Sequence, residues 1–241
     1  MLKIIGSITL TALALVVPAT LILTSPVSRA ARRGFAAAFG LWLAAAAGLA
    51  ALGFFSSGRG GTPAIGAAVL VPVLLASLLA AWSPVVRAFA SGVPLVPLVA
   101  SNVGRLLGAF FLFLYGDGFL PPTFALTAGW GDVFVGTTAA LVAWAAYRRA
   151  GGWRALTLVW NAVGFLDLLA AVALGVGSAQ NSPVRFIHET PNTAVMSTLP
   201  WFLIPGFLVP LYLLTHLMVF ARLSLSGKSR PASRGRAVST P

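Results

Sequence analysis

Seven long apolar stretches, interrupted by short runs of Arg, Pro, Gly and Ser, organise this sequence. A helix needs about 20 mostly apolar residues to cross a bilayer. The stretches meet that requirement near Ile4–Leu23, Phe35–Phe55, Ala64–Trp82, Pro94–Tyr115, Phe124–Tyr147, Ala155–Gly177 and Leu199–Ala221. The pattern therefore predicts an all-α integral membrane bundle of seven transmembrane helices over residues 1–221. Residues 222–241 read as a separate tail, rich in Ser, Pro and Arg, without periodicity and expected to be disordered. Connections are short apart from Ser83–Val93 and Ser178–Thr198, and no soluble domain fits between the spans.

Composition strengthens this reading. Hydrophobic residues make up 59% of the chain and charged residues 8%, with a mean hydropathy of +0.95. Soluble domains carry about a quarter charged residues, so this chain cannot cover a water-facing surface. The net charge of +12 would point to nucleic acid in a soluble protein. Here the basic residues flank apolar runs, which is the pattern of membrane orientation, and no nucleic-acid partner is expected. The expected partners are the lipid bilayer and, at the basic tail, anionic lipid. The absence of cysteine removes disulfides, thiolate metal sites and cysteine nucleophiles.

The basic residues also predict orientation. With seven spans, one side receives Arg29, Arg32, Arg33, Arg87, Arg148, Arg149, Arg154, Arg222, Lys228, Arg230, Arg234 and Arg236. The other receives Lys3, Arg59 and Arg185. Twelve against three places the N-terminus outside and the C-terminus in the cytoplasm. The first stretch is read as a span and not a cleaved signal, because it exceeds a usual signal core and its removal would invert that ratio. Frequent Ala, Gly and Arg with little Lys fit a GC-rich bacterial genome, and so an inner-membrane location. Trp82, Tyr147 and Trp153 fall at the inner boundary, and Tyr115, Trp130 and Trp201 nearer the outer one, as expected of interfacial rings.

Three ionisable residues lie inside spans: Arg105, Asp132 and Asp167. At about 1.5 Å of rise per residue their depths from the outer boundary are about 16, 12 and 15 Å. Charges at one level on three consecutive helices can meet, and the short Gly116–Thr123 loop makes spans four and five antiparallel neighbours. Asn102, Arg105 and Ala109 share a helical side, as do Asp132 and Gly136, and Asp167, Ala171 and Gly175. Small-residue stripes let membrane helices approach closely, so the charges are expected to face inward, with an Arg105–Asp132 pair. One Arg against two Asp leaves a net −1, which is costly in a low dielectric. A retained proton or a bound cation would restore balance. Asn102 is the nearer polar support; Asn161 lies about 240° round its helix from Asp167 and is expected to face another helix.

Other features have plainer readings. Asp117, between glycines, is expected in a turn. Pro200, Pro205 and Pro210 recur along span seven and predict kinks whose freed carbonyls need other donors. His216 reads as a packed, hydrogen-bonded residue; His188 and Glu189 fall in the outer loop. The histidines are too far apart to share a metal, and neither metal nor cofactor is expected. No Lys stands in span seven to form a retinal Schiff base, and no P-loop, dinucleotide fingerprint or metalloprotease motif occurs. An enzymatic role is therefore not favoured. Gly40, Ala44 and Gly48 on span two form a stripe suited to helix association.

Arg105, Gly108, Phe110, Gly118, Pro121, Phe124, Ala125, the run Ala128-Gly129-Trp130-Gly131-Asp132, Gly136, and then Trp160, Asn161, Gly164 and Asp167 resemble a bacterial multi-pass membrane family with no known activity. The resemblance covers spans four to six and, more weakly, span seven. It implies that these residues form one motif and lends nothing about substrate. The expected function is transport or permeation through the Arg105/Asp132/Asp167 cluster, with proton coupling through Asp167. The alternative is a non-catalytic membrane component that binds a protein partner or lipid.

Overall fold

In the computed structural model, which describes residues 1–56 and 58–225, the chain is helical almost throughout, with no strand among the described residues. Its helices are α1 (Leu2–Thr24), α2 (Arg29–Ala51), α3 (Gly61–Trp82), α4 (Pro84–Gly92), α5 (Leu95–Ala100), α6 (Ala109–Gly116), α7 (Pro122–Arg148), α8 (Trp153–Ser178) and α9 (Val209–Leu225). A 3₁₀ segment, Ser101–Gly108, joins α5 to α6 into one span, Leu95–Gly116. A π-helical turn, Ile204–Leu208, leads into α9. Seven helices among the described residues are long and apolar enough to cross a membrane, as the apolar stretches predict.

The boundaries move where local chemistry is stronger than hydropathy. The second span starts six residues before Phe35, because the Ser28 hydroxyl accepts the Ala31 N–H at 3.2 Å and caps α2. It stops at Ala51, before Gly53 turns at φ +68. The Ser83–Val93 connection holds a short helix, α4, capped by the Ser83 hydroxyl and begun by Pro84 at its first position. Asp117 lies in the expected turn: Gly118 has φ +74 and Phe119 N–H donates back to Leu114 O at 2.8 Å. The chain is still helical at Arg222, whose guanidinium donates to Ser91 O at 2.6 Å. The remainder of the expected tail, 226–241, lies outside the described residues.

The core is centred on the last span. Of its most apolar window 67% is buried, against 44% for the fourth and fifth spans, 11% for the second and 6% for the third. Helix α9 packs on α8, α3 and α5, and α7 packs on α5, the 3₁₀ segment, α6 and α8. Helices α2 and α3 form the periphery, with Leu41, Leu70, Leu74 and Leu75 exposed. An apolar surface facing outward carries no penalty when its solvent is hydrocarbon.

Two contacts fix the entrance to the last span. Trp201 is buried against Gly6, where an added Cβ would come within 2.7 Å of the indole ring. Its ring therefore belongs to the core and not to the membrane boundary. Pro210 has no N–H to offer the carbonyl one α-turn earlier, Gly206 O. The Trp42 indole Nε1–H donates to that carbonyl at 3.0 Å. Pro200 stands ahead of the helix, so the expected series of three internal kinks becomes one π-helical turn around Pro205 and one indole-capped gap at Pro210.

Candidate functional site

Arg105 sits on the 3₁₀ segment, and that geometry sets what shares its face. A 3₁₀ helix has three residues per turn, so side chains at i and i+3 eclipse. Asn102, Arg105 and Gly108 are accordingly buried along one edge. The α-helical spacing that groups Arg105 with Ala109 does not hold here, and Ala109 is only half-buried. Gly108 is needed for a close approach: a Cβ there would collide with the Asp132 side chain on α7.

Arg105 is 1% exposed and bonded on three sides. Its Nε donates to Asp132 Oδ1 at 2.6 Å. Its Nη2 donates to Asp167 Oδ2 on α8. Its Nη1 donates to Gly164 O at 2.9 Å and faces His216 Nε2 at 3.3 Å. A guanidinium has five N–H donors in a planar fork, and Nε, both Nη1 hydrogens and one on Nη2 are used. The inward-facing Arg105–Asp132 pair expected from the sequence is present, and Asp167 joins it. A Cβ on Gly131 would run into the Asp167 carboxylate, and one on Gly164 would lie 2.6 Å from His216 Cε1 and 3.1 Å from Arg105 Nη1. The glycines in this region make room for the charges.

His216, fully buried on α9, belongs to the same network. Its Nδ1 lies 2.8 Å from Asn161 Oδ1, and Asn161 Nδ2 donates to His216 O at 3.1 Å. Because the amide nitrogen serves that carbonyl, the amide oxygen is an acceptor. Nδ1 must then carry the proton, and the bare Nε2 is left to accept from Arg105. A second proton on the ring would set N–H against N–H. Asn161 thus fixes a neutral tautomer whose lone pair faces the guanidinium.

Asn161 does face another helix, and it reaches the charges through His216. Asn102 makes no hydrogen bond to Arg105 among the described residues. Its Nδ2 donates to Leu98 O at 3.0 Å and lies 3.5 Å from Thr215 Oγ1, while its Oδ1 has no partner among the described residues. It ties the fourth span to α9 and positions the segment bearing Arg105. His216 is the residue that sequence reasoning placed outside the site, and Gly164, read only as part of the motif, joins it through its main-chain oxygen. Neither a lone buried His nor a Gly carbonyl carries a signal that singles it out. Glu189, at the far end of the molecule, accepts from Thr123 N at 3.1 Å and from its hydroxyl, pinning the long connection over the start of α7.

Asp132 Oδ1 is used by Arg105, and no bond to its Oδ2 occurs among the described residues. The formal sum of one guanidinium and two carboxylates is −1. No group of three His, Cys, Asp or Glu side chains placed to hold a metal occurs among the described residues.

A family model described as "Domain of unknown function (DUF8737)" matches residues 62–224, more than half of the chain. The match takes in Arg105, Asp132, Asn161, Asp167 and His216. No curated protein and no solved structure matches the chain.

Proposed function

The chain belongs to the DUF8737 family, whose description names no activity, and we propose from the site itself that it is a transporter or permeation protein of a bacterial inner membrane. The observation that carries this reading is a fully buried arginine held between two carboxylates from two other helices, with one negative charge in excess. Charged groups inside a membrane are costly and mark substrate, ion or proton pathways. Balance requires a proton or a cation, and either one makes the site responsive to what crosses the membrane. Two breaks in helical regularity support the reading. The Arg105-bearing span is 3₁₀-helical at the charge, and the last span begins with a π-helical turn. Mid-helix 3₁₀ and π segments mark hinges and functional sites, and interrupted helices line transporter sites.

In this reading Arg105 holds Asp132, and Asp167, whose side chain is the more exposed of the two at 14% against 7%, exchanges the proton. We take the N-terminus to be outside, the basic segment 226–241 to meet anionic lipid on the cytoplasmic face, and Arg105 through Asp167 to be the family's motif. Proteoliposomes carrying a pH dye test the mechanism, challenged with a panel of amines, carboxylates and sugars. At least one solute gradient is expected to drive a pH change that Asp167→Asn abolishes while the protein remains folded. A wild type no faster than protein-free vesicles for every solute would remove the reading. The second reading, a non-catalytic component that binds a protein partner or lipid, is supported by α2. Its Gly40, Ala44 and Gly48 are exposed along one helix face, with nothing within 4 Å of where a Cβ would stand on either glycine.

A further inference from the structure

A cavity of about 340 Å³ opens among α3, α8, the 3₁₀ turn Thr193–Ser197 and the start of the last span. Its volume lies within the range of small-molecule sites. The mouth is polar, with Asn181 and Asn192 at the long connection before the last span. Asp132, Phe111, Phe124 and Leu168 line the cavity, each 5% exposed or less. Asp132 is the charged residue on that lining. Its Oδ1 is held by Arg105, and its Oδ2 accepts no bond among the described residues. The Phe111 and Phe124 rings lie 5.1 Å apart, centroid to centroid.

From this geometry we infer that the cavity is a binding site for an organic ammonium ion with an apolar body, seated on Asp132. Three features converge on that class. The walls are largely apolar, so they suit a hydrocarbon or aromatic body and not a hydrated inorganic ion, which needs several oxygen ligands. Asp132 Oδ2 is an acceptor without a donor among the described residues, and the Phe111 and Phe124 rings on the same lining offer an aromatic wall to the body of the ligand. The Arg105/Asp132/Asp167 cluster is one positive charge short, and an ammonium on Asp132 Oδ2 supplies it. A carboxylate ligand would add a second uncompensated negative charge and is excluded by the same count. The inference names the substrate class of the site proposed above and rests on that reading for transport, not for binding.

The test is isothermal titration of the purified full chain in detergent with three probes of one shape: 4-phenylbutylamine, 4-phenylbutanol and 4-phenylbutyrate. The amine is expected to bind at least tenfold more tightly than the alcohol, and the carboxylate not at all. Asp132→Asn should erase the preference for the amine. Because that change also unpairs Arg105, Ala171→Phe serves as the second variant. It fills the cavity wall and leaves every charge in place, and should weaken amine binding at least tenfold. Equal affinity for amine and alcohol would overturn the inference in favour of an apolar occupant such as a lipid chain. Amine binding unchanged by Ala171→Phe, or absent from the wild type at millimolar concentration, would overturn it too. An amine that binds with the stated preference but is not carried into proteoliposomes upholds the site and removes amines of this shape as transported substrates.

Discussion

Arg105 has its guanidinium shared among Asp132, Asp167, a main-chain carbonyl and an imidazole lone pair. Lysine cannot replace it, since a single ammonium lacks the planar fork that reaches three helices. Removing one member of a buried ion pair costs about 3–5 kcal/mol, because the partner charge is left buried and uncompensated. Arg105→Gln is therefore expected to lower the melting temperature in detergent sharply. Arg105→Gln combined with Asp132→Asn should recover part of the loss, since fewer unpaired charges remain. If the single variant melts with the wild type, the cluster does not hold the helices together. His216 supports the arrangement through polarity: with Nδ1–H committed to Asn161, its Nε2 accepts from Arg105 without adding charge.

Among the elements, the last span is the most deeply packed and the least regular. Its π-helical turn and the missing N–H of Pro210 would leave main-chain oxygens unpaired where no water is available. Trp42 on α2 supplies one donor from a helix that otherwise contributes little buried surface. Trp42→Phe keeps much of the ring and removes the N–H, leaving Gly206 O without that donor. It is expected to cost about 1–3 kcal/mol, the penalty for an orphaned buried acceptor. Adding Pro210→Ala restores a backbone N–H one α-turn away and should return part of that stability in a double-mutant melt. No recovery would mean that the indole acts through packing against Phe207, whose ring centroid lies 4.5 Å from its own.

For the molecule as a whole, the connections alternate between the two ends of the bundle, so one orientation decides every loop. The connection holding Asn181 and the turn holding Gly151 lie on opposite sides. Both residues are exposed, and the chain has no cysteine of its own. Single Asn181→Cys and Gly151→Cys variants therefore report without background. With the N-terminus outside, a membrane-impermeant maleimide added to spheroplasts should label Asn181→Cys at once and Gly151→Cys only after lysis. The reverse pattern would overturn the orientation and would turn the cavity mouth towards the cytoplasm.

The number of spans and the common depth of Arg105, Asp132 and Asp167 were legible in the sequence. Hydropathy and a constant rise per residue are one-dimensional quantities, read along the chain without knowing its neighbours. Helix phase was less secure: Asn102 and Arg105 do share a face, but the 3₁₀ segment brings Gly108 in place of Ala109. What the residues alone did not disclose depends on which helices touch. His216 joins the site because α9 passes beside α8, Asn161 acts through it, and Trp42 reaches a carbonyl 164 residues away. The cavity over Asp132 is likewise formed by α3, α8 and the last span together. Such contacts arise from packing between distant segments, where the match of shape and of donor to acceptor selects the partner, and no local periodicity records that choice.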